Sequence, residues 1–182
     1  MSTAGGLIYT GAGETTDRTF SLGASNNFID QSGTGHLKLT AALGTANSRT
    51  IILRGSTEGT AELAAAFPNY SAAIRKEGTG TWVLSQNNLY TGATTVYGGT
   101  LALRGNTAGK IEYSSGYSLY PGGTLLLDNT AAANSIARLG DTKPVILNGG
   151  NLAFSNDAGD ADFAETAGEL RVNAAASTVT SS

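Results

Sequence analysis

A parallel β-solenoid of about eight or more coils is the fold class the sequence predicts, all-β and built as one domain over residues 1–182. Three observations lead there: a five-residue strand pattern that returns along the chain, spacings between returns that no fixed hairpin allows, and a composition rich in turn formers and poor in charge. Of 182 residues, 25 are glycine and 14% are charged; ordinary domains carry about 7% and about 25%. At 40% hydrophobic the chain is too apolar for compositional disorder and long enough for a sizeable core.

The pattern is an apolar residue, any residue, and a second apolar residue, often led by glycine. In chain order it reads RTFSL at Arg18, GHLKL at Gly35, RTIIL at Arg49 and GTWVL at Gly80. It continues as GTLAL at Gly99, GTLLL at Gly123, GNLAF at Gly150 and GELRV at Gly168. Alternation of period two is strand logic. One column holds Phe20, Leu37, Ile51, Trp82, Leu101, Leu125, Leu152 and Leu170. The other holds Leu22, Leu39, Leu53, Leu84, Leu103, Leu127, Phe154 and Val172. All are apolar, whereas the residue between them is mixed. Stacked coils tolerate variable loops between equivalent strands, so each pattern is assigned one coil, with the two apolar columns inside as ladders. Coils spaced about 4.8 Å apart span roughly 35–40 Å. A slip of one residue would turn polar neighbours inward.

The segments between the patterns supply further strands and corners. NNFID (Asn26–Asp30), TTVYGG (Thr94–Gly99), KIEYS (Lys110–Ser114) and KPVILNGG (Lys143–Gly150) each end a short apolar run on turn residues. Residues 60–78 differ: Ala, Glu and Leu before Pro68 favour helix. A short helix or insertion competes there with an extra, irregular coil, and the extra coil is the preferred reading.

The stretch KEGTGTWVLSQNNLYTGATTVYGGTLAL, Lys76–Leu103, resembles the autotransporter-associated β-strand repeat, found in passenger domains of bacterial surface proteins. The resemblance is carried by Lys76, Gly78, Gly80, Leu84, Ser85, Asn88, Tyr90, Gly92, Thr94, Val96, Gly99 and Leu101. Gln86 departs from the glycine usual in that family. Flanking segments such as SGTGHLKLT and LNGGNLAFSN are also similar to such passengers. The resemblance implies a right-handed parallel β-helix, exported and displayed at the cell surface or released, acting as stalk, adhesin or structural fibre.

Composition and motifs exclude several other classes. Net charge is −3 and the only basic doublet is Arg75-Lys76, which argues against a nucleic-acid partner. Cysteine is absent, so disulfides and thiolate metal sites are too. No apolar run reaches the ~20 residues of a membrane helix, so no membrane insertion by this chain is expected. The start, MSTAGGLIYT, carries no signal peptide; an exported chain would take its signal from upstream, and Met1 fits a start codon placed on a piece of a longer chain. No phosphate-loop pattern occurs, and no cofactor is expected.

Candidate chemistry is sparse. His36 is the sole histidine; it precedes an inward Leu37 and should point outward, with no triad around it. Asp157, Asp160, Asp162 and Glu165 are dense enough for calcium, but their spacing is not that of an EF-hand, and a solvated loop is preferred. Carboxylates such as Glu14, Asp17, Asp30, Glu58 and Asp141 sit mostly in loops rather than as the matched pair a glycosidase needs. Tyr113, Tyr117 and Tyr120 form the candidate surface-binding group, since tyrosines can stack on sugars or fill an interface; packing at coil corners is their alternative role.

Three functions remain. The first is a non-catalytic structural segment of an extracellular or cell-surface protein, self-associating head to tail through its open solenoid ends. The second is an adhesin that presents the tyrosines or the outward column to a glycan or host surface. The third, polysaccharide cleavage, is required by no feature of the sequence.

Overall fold

The computed structural model describes residues 5–44, 48–68, 71–130, 135–156, 164–174 and 176–182. Sixteen strands form two parallel sheets of eight. Sheet A contains β1 (Gly5–Tyr9), β3 (Asn26–Gln31), β5 (Thr50–Gly55), β7 (Ala73–Lys76), β9 (Thr94–Val96), β11 (Tyr117–Leu119), β13 (Val145–Leu147) and β15 (Leu170–Val172). Sheet B contains β2 (Glu14–Thr16), β4 (His36–Leu39), β6 (Thr60–Leu63), β8 (Thr81–Leu84), β10 (Gly99–Arg104), β12 (Gly123–Asn129), β14 (Asn151–Asn156) and β16 (Thr178–Ser181). The chain alternates between the sheets, and every strand pairs with its counterpart one coil away. The result is a β-solenoid of about seven turns. No helix occurs among the described residues.

Two inner ladders run along each sheet. In sheet B, Leu37, Ala61, Trp82, Leu101, Leu125 and Leu152 stack in one row and Leu39, Leu63, Leu84, Leu103, Leu127 and Phe154 in the next. In sheet A the rows are Asn27, Ile51, Ile74, Thr94, Tyr117 and Val145, and Ile29, Leu53, Lys76, Val96, Leu119 and Leu147. Leu43, Phe67, Tyr90, Ile111 and Leu139 close the core from the long connections. Phe67 meets Tyr90 edge to face, 5.7 Å between ring centres.

The five-residue patterns do not all fall on one sheet. Five of them are β4, β8, β10, β12 and β14 of sheet B, but RTIIL is β5 and GELRV is β15, both in sheet A. RTFSL is no strand; it joins the next coil through Leu22 N–H to Gly44 O at 2.7 Å and Gly44 N–H to Phe20 O at 2.9 Å. Alternation has the same period in either sheet, so it marks a strand without saying which sheet receives it. Counted within one ladder the coils are more regular than the patterns. They run from 19 residues between Thr81 and Thr100 to 28 between Tyr117 and Val145. Residues 60–78 form an ordinary coil, β6 and β7, in which Ala61 and Leu63 alternate inward. Their helix propensity, a few tenths of a kcal/mol per residue, yields to ladder burial worth about 1.5–3 kcal/mol per large side chain.

The step from sheet A to sheet B is tight: two residues separate β9 from β10. Gly99 ends that corner at φ 62°, and a Cβ there would lie 2.4 Å from Gly80 O and 2.8 Å from Lys76 Nζ. The return from B to A is long, as in residues 105–116.

Lys76 stands in an inner ladder where the neighbouring coils place Leu53 and Val96, and it is 0% exposed. Its ammonium donates to the corner carbonyls of Glu77 at 2.6 Å, Gly98 at 3.0 Å and Gly78 at 3.1 Å. Burial lowers its pKa to about 8, with Glu77 opposing. Burial likewise pushes the hydroxyls of Tyr90 and Tyr117 upward.

These features set three expectations. Trp82 is fully buried and donates Nε1–H to Arg54 O at 2.9 Å; Trp82→Ala should cost about 3–5 kcal/mol in urea unfolding followed by circular dichroism. Gly99→Ala should cost more than about 2 kcal/mol, combining an unfavourable φ with the backbone clash. Stability should also follow pH. The unfolded lysine keeps its proton up to about pH 10.4 while folded Lys76 releases its own near 8, so stability rises from pH 8 to 10 by up to about 1.4 kcal/mol per unit. Above about pH 10 the unfolded tyrosines ionise and the buried ones do not, so stability falls again. Lys76→Met should flatten the rising limb; urea midpoints across pH 7–11 measure both limbs.

Candidate interaction surface

Apart from Ser85, the residues of the repeat motif point inward or into corners. Leu84, Tyr90, Thr94, Val96 and Leu101 are buried. Tyr90 Oη lies 2.7 Å from Thr94 Oγ1, which lies 2.9 Å from Ser114 Oγ of the next coil. Asn88 Oδ1 accepts from Phe67 N–H at 3.1 Å, and Nδ2 donates to Gln86 O at 2.6 Å and Lys110 O at 3.2 Å, tying three coils at one corner. A Cβ on Gly92 would sit 2.3 Å from Ala72 O. Gln86 contributes its backbone carbonyl to this corner, so the departure from glycine leaves the turn intact. The motif therefore specifies the coil and leaves the outward residues between its positions free to vary.

On sheet B the outward row begins with a polar cluster. His36 points outward as the alternation requires, its Nδ1 2.7 Å from Thr60 Oγ1 and its Nε2 3.5 Å from Glu62. Lys38 Nζ lies 3.2 Å from the same carboxylate, and Ser85 Oγ donates to it at 2.6 Å. Burial would raise the Glu62 pKa, but Ser85, Lys38 and His36 together hold it below the usual carboxylate range. The Ser85 hydroxyl thus serves a carboxylate rather than an imidazole, and the group reads as cross-strand pairing. Further along, Val83, Ala102, Leu126 and Ala153 make an apolar row.

The three candidate tyrosines separate. Tyr117 is a correction: it is 0% exposed in the inner ladder of sheet A, donating to Ile111 O at 2.9 Å and accepting from Gly140 N–H at 2.8 Å. It cannot reach a partner. Tyr113 is exposed on the 105–116 connection. Tyr120 lies outside sheet A, stacked on Tyr97 with ring centres 4.5 Å apart and planes 19° from parallel. Sequence reasoning passed over Tyr97, although its place one residue beyond inward Val96 marks it as outward.

Around that pair the outer face of sheet A carries more aromatic and charged groups. Arg75 lies 5.9 Å from the Tyr97 ring centre and 2.7 Å from Glu77. Arg54 covers the Phe28 ring at 3.7 Å and lies 3.2 Å from Asp30.

Asp157, Asp160 and Asp162 lie outside the described residues. Glu165 accepts backbone N–H bonds from Arg138 and Leu139 at 2.8–3.0 Å, so its carboxylate closes a loop end; burial raises its pKa against those bonds. No group of three or more metal-ligating side chains occurs among the described residues. No described helix is long and apolar enough to cross a membrane.

Comparison with known proteins agrees with this geometry. No solved structure matches the chain. Over 114 residues, 58% of this chain, it is 37% identical to the adhesin BmaC autotransporter of Brucella suis biovar 1 (strain 1330), and it spans 3% of that relative's length. Residues 74–103 match the passenger-associated-transport-repeat family. That match starts inside β7 and ends inside β10, covering the coil whose motif residues are accounted for above. Residues 74–103 thus match the kind of passenger repeat that the sequence there resembles.

Proposed function

We propose that this chain is a non-catalytic β-solenoid segment of a bacterial autotransporter passenger, displayed at the cell surface or released, with an adhesive role. The observation that carries this reading is the one-sided use of the repeat motif. All of its residues but Ser85 fill the core and corners, leaving a long surface of variable outward side chains. The relative is named an adhesin, which supports the adhesive role here. The polar clusters on both sheets are ion pairs across or along strands, without an activated nucleophile, so a structural and binding role is preferred over polysaccharide cleavage. Immunolabelling of intact cells carrying this segment in an autotransporter, with protease shaving, tests display. Label that stays inside unshaved, intact cells overturns it.

For the chain in isolation we further propose end-to-end self-association. The last coil leaves Leu170, Val172 and Val179 at 50%, 63% and 52% exposure, although their register continues the inner ladders. At the other end, Leu7, Phe20 and Leu22 line an open cup of about 400 Å³. Glu14 and Thr16 take the sheet-B ladder positions there, so the apolar contact is confined to the sheet-A side. Continuing the register sets Val172 of one copy over Leu7 of the next. Purified protein should form end-to-end assemblies in electron microscopy and light scattering, and Val172→Lys should abolish them. A strictly monomeric wild type at high concentration would remove self-assembly and leave surface display standing.

A further inference from the structure

We infer that the outer face of sheet A is the adhesive surface and that its ligand is an extended, uncharged glycan. The inference rests on the adhesive reading above and names its surface and partner.

One outward row runs along the edge of sheet A nearest the tight corners. Asp30 pairs with Arg54 in register. The same register, carried past the strands by Glu77 N–H to Leu53 O, Tyr97 N–H to Lys76 O and Tyr120 N–H to Val96 O, each 2.9 Å, sets Glu77, Tyr97 and Tyr120 in the same row. These five positions, one per coil, extend roughly 19 Å at the usual strand spacing. That spacing is close to the advance per unit of an extended pyranose chain, so successive sugars would meet successive coils.

The chemistry of the row selects the ligand. Each guanidinium is matched by a carboxylate on the same face: Arg54 with Asp30 at 3.2 Å and Arg75 with Glu77 at 2.7 Å. With Arg75 of the adjacent outward row included, this part of the face is charge-balanced and offers a polyanion no net attraction. Paired carboxylate and guanidinium groups still present acceptors and donors side by side, which suits neighbouring sugar hydroxyls. Beside Arg54 the corner opens into a shallow cleft of about 310 Å³, whose walls include Asp30, Ser32, Arg54, Ser56 and Thr79. Ser32, Ser56 and Thr79 bring hydroxyls to its wall. Two coils on from Arg54, Tyr97 is 46% exposed and stacked on Tyr120, giving an apolar edge tipped with hydroxyls. Because the two rings cover each other's faces, a sugar would lie across their edges and not between them.

The test is an array of immobilised linear neutral oligosaccharides (mannan, β-glucan and N-acetylglucosamine types) with sialylated and sulfated counterparts, probed with the purified chain. Binding to a neutral glycan is expected, reduced about tenfold or more by Tyr97→Ser and by Arg54→Gln. Thr100→Ala on the outer face of sheet B should leave it unchanged. Circular dichroism confirms that each variant is folded, and saturation-transfer NMR on the wild type should place the sugar against tyrosine ring protons. Binding confined to sialylated or sulfated glycans overturns the inference, as does unchanged binding by both variants or no glycan bound at all. Adhesion of cells displaying the chain is measured in parallel: cell adhesion without glycan binding leaves the adhesive reading intact and removes this one alone.

Discussion

Parallel, in-register pairing between one coil and the next is the constraint on which the rest depends. A coil has no partner strand within itself; β9 and β10 find their hydrogen bonds only in β7, β8, β11 and β12. Each coil must therefore present its neighbours with the same alternation at the same height, and the inner rows of leucine, isoleucine and valine meet that demand by burying like on like. The exceptions keep to it by another means. Lys76, Thr94 and Tyr117 enter those rows as polar residues and are buried only because corner carbonyls, hydroxyls and backbone N–H groups receive them. An unpaired polar group at any of these places would be costly.

Once the interior is committed in this way, the exterior is released. The repeat motif is a prescription for the coil: a lysine to gather three carbonyls, an asparagine to tie three turns, glycines where a Cβ would strike the coil below. None of these residues faces a partner. The two outer faces consequently differ while the interior stays uniform. On sheet B an ionic patch gives way to an apolar row, whereas sheet A carries matched charges and aromatic rings.

The fold was legible because alternation of period two is a direct image of inside and outside. It was legible only up to the choice of sheet. RTIIL and GELRV have the same form as GTLAL yet lie on the opposite wall, since nothing in a strand of this kind encodes which wall it joins. Residues 60–78 were readable as a further coil against their composition: alanine and glutamate favour helix, but Ala61 and Leu63 alternate, and the neighbouring coils supply the edges that recruit them. The surface was less legible. Tyr113, Tyr117 and Tyr120 are close in sequence, but a coil turns the chain through inside and outside within a few residues, so proximity along the chain says little about proximity on a face. The partner of Tyr120 proved to be Tyr97, one full coil earlier. That separation is visible only when the coil length, 23 residues at this point, is known.

The contrast between tight corners and long returns has a further consequence. Variation in coil length, from 19 residues between Thr81 and Thr100 to 28 between Tyr117 and Val145, is absorbed largely on the return side, because the corner between β9 and β10 holds only two residues. That side is a seam along which chain can be added or removed without disturbing either wall. Over generations, length changes should collect there and leave the corners untouched. A foreign peptide grafted into several returns would be presented as an evenly pitched array down one flank of the rod.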